Sequence, residues 1–132
     1  MEIKTSNGSY WKTNHKNSNE LIQSIHEGDG KIRRLQILEQ QKYLPIDLEL
    51  WELKPGVSEG DHTHDGHDGE PPLTEIYYFI EGEGIMTIDG EKVEIKSGDT
   101  VMVPPNIDHG VYNNHPEKTL KMLIIWGEPP KQ

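Results

Sequence analysis

The sequence predicts an all-β domain of short strands, a sandwich or a barrel. Three observations carry that expectation. The 132 residues include no alanine but 14 Ile, 5 Val, 5 Tyr and 3 Trp. Alanine is the best helix former, whereas β-branched and aromatic side chains suit a pleated surface. Thirteen Gly and nine Pro punctuate the chain with turns. Finally, Lys92-Val93-Glu94-Ile95-Lys96 alternates strictly behind Asp89-Gly90, a strong hairpin signal. The length suits one domain, and with 32% hydrophobic residues its core must be economical.

The elements follow in order. Residues 1–20 are rich in Asn, Ser and Lys and show no period, so residues 1–30 read as an N-terminal arm that pairs with the domain edge or with a second subunit. Within it, Ser18-Asn19-Glu20 ahead of Leu21, Ile22 and Ile25 reads as the cap of one short helix. Gly28-Asp29-Gly30 breaks the chain, and the domain proper is expected over 31–127. Strands are expected over Ile32 to Leu38 and Ile46 to Leu53. In the second, the apolar face switches from Leu48 and Leu50 to Trp51 and Leu53, which suggests a bulge. Residues 55–74 are polar. Further strands are expected over Glu75 to Ile80, Ile85 to Ile88, Lys92 to Lys96 with Val93 and Ile95 inward, Thr100 to Val103 stopped by Pro104-Pro105, and Thr119 to Trp126. Residues 128–132 read as a tail. Tyr77, Phe79, Met86, Ile88, Val93, Ile95 and Trp126 are expected to fill the interior, and His15, His26 and His115 to be exposed.

Charge narrows the function. Thirteen basic residues against 23 acidic ones give −10 with His neutral. A polyanion is repelled by such a surface, which disfavours nucleic-acid and anionic-membrane binding. With no cysteine, disulfides, zinc ribbons, iron–sulfur clusters and thiol nucleophiles are excluded. Met1 to Glu20 holds no apolar run of signal-peptide length and no segment has membrane-helix length, so a soluble, cytoplasmic protein is expected.

Three segments carry chemistry. In Gly56-Val57-Ser58-Glu59-Gly60-Asp61-His62-Thr63-His64, two His at i and i+2 on an extended chain face the same way. An isolated pair of this kind is as readily a solvated loop as a metal ligand pair. In Glu75-Ile76-Tyr77-Tyr78-Phe79-Ile80-Glu81-Gly82, period two puts Glu75, Tyr77 and Phe79 on one face. A carboxylate facing inward needs a partner. A metal supplies one, and water at a strand mouth is the alternative. The segment from Gly98 through Pro104-Pro105-Asn106-Ile107-Asp108-His109 to Asn113 holds one more His among turn residues, which alone reads as surface.

Together the three segments resemble the cupin superfamily, in particular its small single-domain members. Gly56, His62, His64, Glu75 and Gly82 match the first cupin motif, and Gly98, Pro104, His109 and Asn113 the second. The resemblance spans Lys31 to Trp126. It implies a single jelly-roll β-barrel and one divalent metal ion (Fe, Mn, Ni, Zn or Cu) held by His62, His64, Glu75 and His109. Two departures stand out. Asn106 replaces the motif's Gly, and Asn is a residue that tolerates positive φ. Ten residues, 65–74, separate His64 from Glu75, where three or four are usual; this insert reads as a candidate lid. Glu70 is nearer the His pair, but Pro71-Pro72 follows it, and Glu75 keeps the spacing to Gly82 and is preferred. His67 is a substitute ligand, a substrate contact or, first in rank, a solvated loop residue.

A divalent ion on three neutral imidazoles and one carboxylate carries net +1 and attracts anionic oxygen. The resemblance therefore implies a metal-dependent enzyme for a small anionic or polyhydroxy metabolite, of dioxygenase, isomerase, decarboxylase or lyase type. The alternative is a non-catalytic metal- or sugar-binding module. A homodimer is expected, from the apolar outer residues Leu123 and Ile125 and the unpatterned arm.

Overall fold

Alternating patterns and turn residues become twelve strands among the described residues, which in this computed structural model are 1–67 and 69–131. Asp68 of the insert and Gln132 of the tail lie outside them. The strands are β1 (Glu2–Thr5), β2 (Gly8–Trp11), β3 (Asn19–Gln23), β4 (Ile32–Ile37), β5 (Ile46–Leu53), β6 (Ser58–His62), β7 (Thr74–Glu81), β8 (Glu83–Ile88), β9 (Glu91–Lys96), β10 (Thr100–Val103), β11 (His109–Tyr112) and β12 (Leu120–Gly127). A six-stranded antiparallel sheet runs β10-β7-β12-β5-β4-β3 and a four-stranded one β6-β11-β8-β9; β1 and β2 form a separate hairpin. This is the expected all-β jelly-roll fold.

The two larger sheets enclose the core. Trp51, Leu53, Tyr77, Phe79, Met86, Leu120, Met122 and Ile124 are buried there, with Ile88 and Trp126 packed against them. Each such large apolar side chain contributes about 1.5–3 kcal/mol when fully buried. Asp89 and Gly90 both take positive φ (47° and 83°), as a tight primed turn demands. Asn106 has φ 75°, the conformation expected where it replaces Gly.

Four expectations are corrected. Residues 19–23 are not a helix but β3, added to the edge of β4. Leu21 and Ile22 stand opposite Arg34 and Arg33, and Glu20 pairs with Arg33. The helical content near the N-terminus is one 3₁₀ turn, His15–Asn17, capped by Asn14. β5 carries no bulge: its register to β4 and β12 is continuous, with Glu49, Trp51 and Leu53 inward and Leu48 and Leu50 on the outer face. Val93 is 37% exposed, because β9 is the sheet's edge strand, while Ile95 is buried. His115 is half-buried rather than exposed: its Nδ1 accepts from the Glu117 and Lys118 amides in the turn before β12. Among the described residues, no helix is long and apolar enough to cross a membrane.

Candidate metal centre

The site spans the two sheets. His62 ends β6, His64 follows it, and His109 opens β11 beside His62. Glu75, second residue of β7, comes from the opposite sheet. Period two carries Glu75, Tyr77 and Phe79 inward, as expected. One ligand atom from each of His62, His64, Glu75 and His109 lies within 4.8 Å of the others. The Nε2 atoms of His64 and His109 are each 2.8 Å from Glu75 Oε1, and that of His62 is 3.3 Å from it. Glu70 and His67 are outside this cluster. His67 is on the exposed loop beside Asp65, its Nδ1 3.3 Å from Oδ2.

The proton inventory shows what this arrangement is suited to hold. Nδ1 of His62 donates to the Gly60 carbonyl and Nδ1 of His109 to the Ile107 carbonyl, each at 2.9 Å. A carbonyl only accepts, so Nδ1 carries the proton and the neutral ring presents a lone pair at Nε2. Lone pairs of imidazole nitrogen thus face a carboxylate oxygen, which is also an acceptor. A cation satisfies all of them: a proton on one ring serves a single contact, whereas a divalent ion serves the whole set, and the donors are those it prefers. In the metal-free chain, burial opposes the charge on Glu75, but hydrogen bonds from the imidazoles, which require a proton on Nε2, outweigh it and hold the carboxyl well below its usual range. Burial likewise lowers the His109 pKa, yet the contact with Glu75 raises it overall.

Two residues that the sequence reading passed over belong to the site. Glu59 and His62 are three apart on β6, so strict alternation puts them on opposite faces. The pairing with β11 slips here: His109 opposes His62, and Val111 opposes Glu59. One extra residue in β6 makes a bulge that turns both side chains inward. Gly110 makes room, since a Cβ there would overlap the Asp61 side chain and the Glu59 carbonyl. Glu59 is 2% exposed; its Oε1 accepts from the Tyr77 hydroxyl at 2.8 Å, and Oε2 has no hydrogen-bond partner and lies 3.7 Å from His62 Nε2. Burial, followed by the nearby Glu75 charge, pushes its pKa well above the usual carboxylate range.

The second residue is His26, between β3 and β4. It is exposed as expected, but its ring stacks on His62 with centroids 3.6 Å apart and planes at 11°. Burial, then His62 and His64, lowers its pKa to about 4. A cavity of about 350 Å³ adjoins the cluster, walled by His26, Trp51, Glu59, His64, Glu75 and Trp126. Arg34 also reaches it, with its charge matched by two 2.6 Å bonds to buried Glu49, which accepts in addition from Trp51 Nε1.

Two antiparallel sheets that clasp three histidines and a glutamate beside a small cavity define a jelly-roll protein with a candidate metal site in its interior. The cupin domain model matches residues 49–126, and the chain belongs to that family. It is 38% identical over 94 residues, 70% of this chain and 71% of the other, to an uncharacterised protein of Methanocaldococcus jannaschii. It is 30% identical over 97 residues to an oxalate-binding protein of Thermotoga maritima, covering 71% of this chain and 74% of that one. The crystal structure of a predicted oxalate decarboxylase from Thermotoga maritima superposes with a TM-score of 0.79 at 24% identity, over 90% of this chain and 100% of the other. At that identity the likeness is one of fold.

Proposed function

We propose that the chain holds one divalent metal ion on His62, His64, Glu75 and His109 and turns over a small anionic or polyhydroxy metabolite in the adjoining cavity. The observation that carries this reading is the convergence of three imidazole Nε2 atoms on one oxygen of Glu75, with two of the rings already committed through Nδ1 to backbone carbonyls. A bound ion of the Fe, Mn, Ni, Zn or Cu kind would supply Lewis acidity toward an anionic ligand oxygen. The chain's own residues do the rest. Trp51 and Trp126 wall the cavity with apolar surface, which limits water and strengthens electrostatic attraction inside. Glu59, buried beside the cluster with its carboxyl pKa pushed well up and its Oε1 accepting from the Tyr77 hydroxyl, is the acid–base group that turnover would use.

A second reading, a non-catalytic binding module, draws support from the relative named as an oxalate-binding protein. Metal analysis of the purified protein, then a screen of carboxylates, sugars and enolizable ketones with each metal supplied in turn, separates the two. Conversion that His64→Ala abolishes in a folded protein supports the enzyme. Tight binding with unchanged ligand recovered under every metal supports the module.

We also propose a homodimer. The outer face of the six-stranded sheet carries Leu50, Leu123 and Tyr78 in one cross-strand row, beside the already buried Leu35, and Ile37, Leu48, Ile125 and Ile76 in the next. Such a contiguous apolar surface is what a second copy covers. Sedimentation at micromolar concentration is expected to give twice the 15.1 kDa chain mass.

A further inference from the structure

We infer that His26 is a positioning residue for the metal centre: its ring, delivered by the turn over residues 25–30, fixes the plane of His62 and closes one wall of the cavity. The inference rests on the metal reading above. His26 lies outside the matched region 49–126 and is not one of the four converging residues.

The turn is built to deliver this ring. His26 and Glu27 both take positive φ (52° and 60°), a conformation that non-glycine residues adopt only when their surroundings impose it. Here the surroundings do. The Ile25 carbonyl accepts from both the Gly28 and Gly60 amides at 3.1 Å. Asp29 and Ser58 exchange two further bonds, from Ser58 N to the Asp29 carbonyl at 2.9 Å and from Asp29 N to Ser58 Oγ at 2.8 Å. Two glycines allow the close approach: a Cβ on Gly28 would overlap the Ser58 carbonyl, and one on Gly60 the His26 carbonyl. The segment is thus clamped to the strand that ends in His62, and the outcome is a near-parallel stack at 3.6 Å with an edge contact to His64 at 5.8 Å.

This stack restrains the one freedom that the hydrogen bond to Gly60 leaves. An Nδ1 contact to a carbonyl anchors one corner of the His62 ring, and a flat neighbour restrains its tilt. A ring coordinated to a cation is electron-poor, and an aromatic face lying on it is attracted as rings are to cations. A planar hydrocarbon ring at position 26 therefore suffices, and a ring nitrogen there is not required.

The test uses cobalt(II) as the probe, read by competition with a chromophoric chelator and by the visible absorption of the bound ion. Outer-shell partners of metal-binding histidines are worth about 10–100-fold in affinity. His26→Ala is expected to weaken cobalt binding by about that factor and to shift the visible band, with circular dichroism unchanged. His26→Phe, which keeps the plane, is expected to stay near wild type. Should His26→Ala unfold, His26→Leu replaces it, filling the space without a flat ring, and is expected to lose affinity likewise. Unchanged affinity and spectrum in the variants lacking a ring would overturn the inference. So would His26→Phe falling as far as His26→Ala, which would assign the role to a nitrogen. Wild-type protein that takes up no cobalt overturns the metal reading, and this inference with it, before any His26 variant is compared.

Discussion

Nε2 of His109 lies 2.8 Å from Oε1 of Glu75, across the gap between the two sheets, while its Nδ1 proton is given to the Ile107 carbonyl. His109 is 1% exposed and Glu75 4%. A lone pair and a carboxylate oxygen this close and this dry attract only through a cation between them or a proton on one of them. An ion held there, as proposed, would be a structural clasp as well as a chemical centre.

Loading the site is therefore expected to stabilise the fold. Binding at a hundredfold excess over Kd adds about 2.7 kcal/mol, which for a chain of this size raises Tm by roughly 8–12 °C. Differential scanning calorimetry of chelator-treated protein, with Mn, Fe, Co, Ni, Cu and Zn added in turn, checks this. A Tm indifferent to all of them would sink the metal reading.

The acidic ligand is distinguishable by substitution. Glu75→Gln is expected to lose at least about tenfold in metal affinity, since a carboxylate ligand is replaced by a neutral amide. Glu70→Gln is expected to keep wild-type metal content, because Glu70 is outside the converging set. Metal content after dialysis decides between them, and the reverse pattern would show that Glu70 is the ligand.

Glu59 gives the sharpest separation of enzyme from module. Glu59→Gln retains an acceptor for the Tyr77 hydroxyl but removes the titratable proton. Metal content and fold are expected to stay, while turnover of any substrate found drops by about 10²–10⁴-fold, the range of a lost general acid or base. Equal turnover in the variant would return Glu59 to a purely structural role.

Gly110 sustains the bulge in β6. Gly110→Ala is expected to destabilise the protein by about 1–3 kcal/mol through overpacking against Asp61 and the Glu59 carbonyl. Metal binding is expected to weaken as well, because the bulge is what aims Glu59 and His62 into one cavity. Urea denaturation and chelator competition read the two effects separately.

On the outer face, Glu52 answers Arg33 and, at 3.4 Å, Lys121. Partial burial works to raise its pKa, but the two cations outweigh this and lower it from the ordinary 4.5. A carboxyl lowered on folding contributes stability that is present above 4.5 and lost as pH falls through the folded value. Glu52→Gln is accordingly expected to cost no more than about 1 kcal/mol at pH 7, as exposed pairs do. The difference from wild type is expected to close below pH 4.5. A constant difference from pH 7 to pH 3 would assign the loss to packing instead.

The sequence by itself determined the fold class and, through the match of three segments to the cupin motifs, the four converging residues, His109 among them by that match alone. Absence of alanine, alternation in β9, the Asp89-Gly90 turn and the positive-φ tolerance of Asn106 are local preferences, and local preferences are written in single residues and short spacings. His62 and His64 were legible because they stand two apart on extended chain, and Glu75 because it heads a period-two strand. Tertiary structure alone decided three things. It made residues 19–23 a strand, since the open edge of β4 offers backbone partners that a short isolated helix lacks. It turned Glu59 inward, because a bulge depends on the register between β6 and β11, and register joins residues about 50 positions apart. It laid His26 on His62, because that stack depends on backbone bonds between the turn over 25–30 and β6 and on the close approach that Gly28 and Gly60 permit. Contacts of this kind are fixed by where two strands meet in space, and no spacing along the chain encodes them.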